Sequence, residues 1–188
     1  MTTAQPQNAD RVFEIMDEAN VTPALDREIR AFLCVCFAGD TPSWPSRYWH
    51  TSTPAYSVIC RDVTGGALLA HIGIVVRRIR CGGTQITIAG VQNLGVKPGT
   101  RGGRLGYRVT EMAMDEARRR KIDFGLLFCI PALEAYYQGN GWQTTTEPVT
   151  MKYLADDEPI PGKNIGMFRL LGTQPFPAGP IHLQGPDW

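Results

Sequence analysis

Leu94-Gly95-Val96-Lys97-Pro98-Gly99-Thr100-Arg101-Gly102-Gly103-Arg104-Leu105-Gly106 runs from an apolar strand through a glycine-rich turn into a helix. The helix is predicted over residues 104–120, with Leu105, Val109, Met112, Ala113 and Ala117 on one face and three arginines complementing the dipole at its end. The first-turn amides of such a helix have no partner within it. With the positive end of the dipole, they form a cradle for an anion that glycines let approach the backbone. The spacing G-x-x-x-x-G-K-[ST] is missing and no G-x-G-x-x-G pattern fits, so neither a P-loop nor a dinucleotide fingerprint is present. On its own the stretch reads equally well as a plain strand-to-helix turn.

Upstream, residues 85–96 read as a strand interrupted by Gly90, Gln92, Asn93 and Gly95, a pattern that suggests a bulge or a close backbone approach. Runs at 55–60 and 67–78 are separated by Thr64-Gly65-Gly66, a hairpin signal, and Gly82-Gly83 makes the next turn. A short strand is expected at 12–15. Thr22-Pro23 opens a helix whose apolar face is Leu25, Ile29, Phe32, Leu33 and Cys36, with a stop at Gly39. Residues 40–54 form a loop containing Trp44, Tyr48 and Trp49. Downstream, 124–130 is a compact apolar strand, 131–138 a short helix stopped at Gly139-Asn140-Gly141, and 149–154 and 165–171 the last strands. The order predicts a single α/β (α+β) domain: a mixed, mostly antiparallel sheet flanked by helices. The expected core spans 1–155. Residues 156–188, with six prolines and five glycines, form a strand and arm packed on it.

With 188 residues, 43% hydrophobic and 20% charged, the chain can bury a core and is not disordered. No apolar run approaches the ~18 residues of a spanning helix, and residues 1–20 lack the apolar stretch of a signal peptide. Five cysteines, with no C-x-x-C pair, argue for a reduced, cytoplasmic protein without a structural metal. The net charge of +1 calls for neither a nucleic acid nor a membrane. Charge is uneven, however: residues 77–121 hold eleven basic residues against three acids, and the rest holds eight against fifteen. Such a span marks either an anion site or a solvated helix face.

About thirty residues after the glycine-rich turn stands Tyr136-Tyr137-Gln138-Gly139-Asn140-Gly141-Trp142. The pair V-x-P-x-x-R-G-x-x-L-G and Y-x-x-x-G-(F/W) resembles the GCN5-related N-acetyltransferase (GNAT) superfamily. The resemblance implies that acetyl-CoA is a co-substrate lying along the strand at Leu94, Gly95 and Val96, with its pantetheine amides paired like an added strand. It implies that the pyrophosphate rests on the amides of Arg101, Gly102, Gly103, Arg104, Leu105 and Gly106. Amides near residues 94–96 would polarise the thioester carbonyl. Tyr137 falls on the tyrosine that protonates the departing thiolate; its alternative is a buried helix aromatic. Direct attack by an amine needs no metal. One position departs: Arg104 stands where glycine is usual, and its side chain either crowds the phosphates or turns out to pair with them.

Two subgroups bear on the acceptor. The chain looks like the aminoglycoside 2′-N-acetyltransferases at Phe37-Ala38-Gly39-Asp40, at 101–105, at 137–142 and at Asp187-Trp188. Asp40 and Trp188 carry over as acceptor-binding positions, whereas the subgroup's strand carboxylate falls on Gln92 and a further acid falls near Lys163-Asn164, where there is none. The chain is also similar to the rhizobial nodulation N-acyltransferase at Ala70-His71-x-Gly73, Arg77-Arg78-Ile79, 95–98 and 177–186. Those proteins acylate the amine of a glucosamine unit. Both subgroups imply a small-molecule amine acceptor of the amino-sugar type, and superfamily members often pair as homodimers. The general base is open among Asp40, His71, Glu134 and the Trp188 carboxylate. His71, in an apolar strand, also reads as a satisfied core histidine. A non-catalytic acyl-CoA-binding module is the competing class.

Overall fold

The computed structural model describes residues 10–38, 47–49, 51–153, 156–160 and 164–188. The Asp40 and Trp44 readings lie outside the described residues. Among these, ten strands form one sheet: β1 (Arg11–Asp17), β2 (Tyr56–Asp62), β3 (Leu68–Cys81), β4 (Thr84–Val96), β5 (Phe124–Cys129), β6 (Gln143–Thr144), β7 (Val149–Tyr153), β8 (Asp156–Pro159), β9 (Ile165–Leu170) and β10 (Ile181–His182). Three helices flank it: α1 (Pro23–Cys36), α2 (Leu105–Arg119) and α3 (Glu134–Gln138). This is the mixed, mostly antiparallel architecture expected from the sequence; only β4 with β5 and β7 with β10 run parallel.

Long β3 is the spine. One edge pairs along β4; the other takes β2 over its first half and β10 at Arg80–Cys81. Alternation sends the two faces of these strands to different cores. Tyr56, Val58, Ile72, Ile74, Ala89 and Val91 pack under α2 with Val109, Ala113 and Met114. The Tyr56 hydroxyl donates to the Ala113 carbonyl (2.7 Å), fixing α2 across the sheet. On the other face α1 seats Ile29, Phe32 and Leu33 against Ile59 and Leu68. Thr22 Oγ1 accepts from the Leu25 amide (3.2 Å), the cap that Thr-Pro announces.

Three short strands, β6, β8 and β10, escape the hydrophobic pattern because two to four residues are too few to show a period. β10 forms because the Gly82 turn, at φ +54°, lies against Ala178 and Gly179, and its amide donates to Pro180 O (2.8 Å). The segment expected as one helix over 131–138 is a 3-10 turn at Pro131–Leu133 followed by α3. Phe176 stacks on Phe168 at 4.4 Å, and Trp188 lies against Phe128 at 5.5 Å. No described helix is long and apolar enough to cross a membrane.

Candidate active site

β4 pairs with β5 only through Ile88–Phe124, Ala89–Gly125 and Gly90–Leu126. Beyond these, β5 continues against β9 while β4 runs on with β3 alone, so the two parallel strands part. β4 also carries a bulge. His71 faces Gly95 and Gly73 faces Gln92, so β4 holds one residue more than β3, and Asn93 takes φ +52°. The interrupted apolar pattern at 90–95 predicts this distortion, and the left-handed φ falls to Asn, the non-glycine type that best tolerates it.

Past the bulge, Leu94, Gly95 and Val96 line a cavity of about 650 Å³ together with Arg101, Gly102, Arg104, Leu105, Gly106, Tyr136 and Tyr137. Gly95 suits a close approach: a Cβ there would sit 3.1 Å from Phe32 and 3.2 Å from Cys36 Sγ on α1, tight enough to displace one of them. α2 starts at Leu105 after Arg104, which is left-handed at φ 58° and provides no side-chain cap. The first-turn amides of a fifteen-residue helix thus open toward the cavity without a side-chain acceptor, and a Cβ at Gly102 would meet nothing within 4 Å. An anionic diphosphate fits such a cradle.

The left-handed turn gives the departure at position 104 a conformational cost. Glycine suits that φ; arginine takes it, and its guanidinium lies 4.8 Å from the centre of the Tyr107 ring, exposed beside the cradle. Arg101 is used differently: its Nε donates to Val96 O (3.2 Å) and its Nη2 to Cys36 O (3.1 Å), tying the loop to β4 and to the end of α1. Much of the basic excess serves the helix end: Arg118 pairs with Asp115, Arg119 with Glu116, and Arg120 with Glu116 and Asp17.

The second motif works through Trp142. Its ring fills the space above Gly125, where a Cβ would lie 2.9 Å from it, and it meets Tyr137 edge-on at 6.2 Å. The Gly141 turn (φ +80°) returns the chain so that the Trp142 amide donates to Tyr137 O (3.1 Å). Trp142 therefore seats α3 on β5 and sets Tyr137 on the cavity wall. Burial raises the Tyr137 phenol above its ordinary pKa, so it stays protonated at neutral pH. Burial likewise pushes the Cys36 thiol up to about 11, which leaves no thiolate in the cavity near pH 7.

Gln92, Gly103 and Trp188 are not on this wall. Gln92 is buried and donates from Nε2 to Ser52 O (3.1 Å). Trp188 lies on Gly90, the last β4 residue paired with β5, where a Cβ would be 2.6 Å from the indole, and it is 5.4 Å from the Arg77 guanidinium. Arg77 donates to Pro186 O and Ser52 Oγ, and Thr51 and Ser52 donate to Asp187 O, so the arm is gripped at its end. Among the candidate bases, His71 is wholly buried and held neutral, its pKa pushed down to about 4 by burial. Glu134 accepts from Thr144 Oγ1 (2.6 Å) and Gln138 Nε2 (3.3 Å), which pins β6 to α3. Cys36, read from the sequence only as part of the apolar face of α1, and Phe37, quoted only in the stretch leading to Asp40, reach the cavity from the end of α1, a placement that no local signal announces. Tyr136 and Asn140 lay inside the quoted motif, where a second tyrosine and the turn were the available signals.

Parted parallel strands, a bulge before an uncapped helix, and a tyrosine on the far wall define an acyltransferase of the GNAT fold. The chain belongs to the nodulation protein A (NodA) family, whose model matches residues 14–155. Solved structures share the fold. Escherichia coli ElaA is 16% identical, with a TM-score of 0.62 over 85% of this chain and 99% of its own. The GNAT family N-acetyltransferase YhbS from Escherichia coli, solved in complex with CoA, is 13% identical at 0.61 over 93% and 90%. An aminoglycoside 6′-N-acetyltransferase complexed with coenzyme A is 14% identical at 0.56 over 88% and 99%. No curated protein matches the sequence.

Proposed function

We propose that the protein transfers an acetyl group from acetyl-CoA to a primary amine of an amino sugar, by direct attack of the amine on the thioester. The observation that carries this reading is the single cavity joining the bulged edge of β4, the uncapped start of α2 and Tyr137. In it the amides of residues 105–107, with Arg104 beside them, bind the diphosphate. The free edge of β4 past Gly90 pairs with the pantetheine amides, and amides near Leu94–Val96 receive the developing oxyanion. As the C–N bond forms and the C–S bond breaks, Tyr137 gives its proton to the thiolate, and the amine's proton leaves to solvent or a base.

Membership of the NodA family supports a glucosamine-type amine, acylated on an oligosaccharide, over an aminoglycoside. The test is incubation with acetyl-CoA and an amine panel that includes glucosamine oligomers and aminoglycosides, following free thiol. Turnover is expected with the glucosamine amines. Binding of CoA without turnover on any amine would favour the acyl-CoA-binding module instead.

A further inference from the structure

The bulge in β4 is held by side chains outside the cavity. Asn93 O, turned out of the β3 ladder, lies 3.0 Å from His71 Nδ1, and Asn93 Nδ2 donates to Tyr48 O (2.9 Å). A carbonyl only accepts, so His71 carries its proton on Nδ1. Nε2 is then a bare acceptor, buried and without a partner among the described residues, and the His71 and Tyr48 rings meet edge-on with their centres 5.4 Å apart. This tautomer and this burial leave His71 one hydrogen bond, and that bond goes to the residue whose left-handed turn aims Leu94, Gly95 and Val96 into the cavity. Across the ladder His71 faces Gly95 itself.

We infer that His71 is a positioning residue for the acyl-donor site: its Nδ1–H holds the Asn93 carbonyl and so fixes the bulge against which the donor's amide chain lies. It touches neither donor nor acceptor and moves no proton. The inference rests on the acyl-CoA reading for its binding consequence, but its structural half stands alone.

Asparagine places an amide nitrogen near the position of Nδ1, whereas leucine fills the volume without a donor. The experiment therefore compares wild type, His71→Asn and His71→Leu in the full chain by three measurements. Long-range 1H–15N spectra at pH 7 should show the Nδ1-protonated tautomer in the wild type; the Nε2-protonated form would overturn the inference. Amide exchange should accelerate at residues 93–96 in His71→Leu but not in His71→Asn, with α2 protected in both. Equal exchange in the two variants would overturn it, as would loss of protection everywhere. CoA titration should be about five- to tenfold weaker in His71→Leu, the worth of one hydrogen bond, and within about twofold of wild type in His71→Asn. Unchanged affinity in His71→Leu would overturn the inference. If the wild type itself does not bind CoA, the functional reading fails, and the spectra and exchange still decide the role of His71.

Discussion

Arg104 can be tested in a way that separates backbone conformation from charge. It sits at φ 58°, ψ 14° before α2, with its guanidinium 4.8 Å from the centre of the Tyr107 ring. For an L-residue the left-handed turn costs roughly 1–2 kcal/mol, which glycine escapes. An exposed cation–π contact contributes about 0.5–1 kcal/mol. Arg104→Ala keeps the strain and loses the contact, so stability should fall by about 0.5–1 kcal/mol. Arg104→Gly loses both, so the two variants should differ by about 1–2 kcal/mol, with glycine the more stable. For a chain of this size that is a separation of roughly 2–8 °C in midpoint, read by thermal unfolding followed by circular dichroism. Both variants lack the cation, so both should bind CoA about two- to fivefold more weakly at low salt, with the deficit shrinking as salt rises. Equal stability of the two variants would refute the conformational argument. Wild-type affinity in both would refute the placement of the diphosphate beside Arg104.

Tyr137→Phe should lower turnover by about 10²–10⁴-fold, with CoA affinity nearly unchanged, as followed by thiol release and titration. Because burial raises the Tyr137 pKa, its proton is retained as pH rises past the ordinary tyrosine value, so the rate should not fall on its account up to about pH 10. An alkaline limb there that disappears in the phenylalanine variant would contradict this. Gly90→Ala places a methyl 2.6 Å from the Trp188 ring and should cost about 1–3 kcal/mol while shifting indole fluorescence. Adding Trp188→Ala should recover part of that loss in urea unfolding; strictly additive effects would show that the ring does not sit there.

Much of the fold was legible because its longer elements follow one rule each. α1 has a Thr-Pro start and a clean 3.6-residue stripe, α2 a glycine-rich entry and an arginine-rich end, β2 to β4 have turn residues between apolar runs, and β5 is a compact apolar run after α2. That residues 94–96, the glycine-rich turn and Tyr137 line one cavity was legible for a related reason: an approaching backbone favours glycine, and Trp142 over Gly125 seats the helix, so packing leaves its mark in residue type. The short strands were not legible, since a two-residue strand such as β10 exists only because the Gly82 turn meets Gly179 across the sheet.

For the site, local sequence determined which segments could bend, bind an anion or carry a phenol, because those capacities reside in φ preferences, free amides and side-chain chemistry within a few residues. Only the tertiary structure decided that β4 leaves β5 after Gly90, that α1 brings Cys36 and Phe37 to the cavity, and that His71 serves the Asn93 carbonyl. These depend on which surfaces meet across tens of residues, and a hydrogen bond or van der Waals contact is fixed by distance in space rather than separation along the chain.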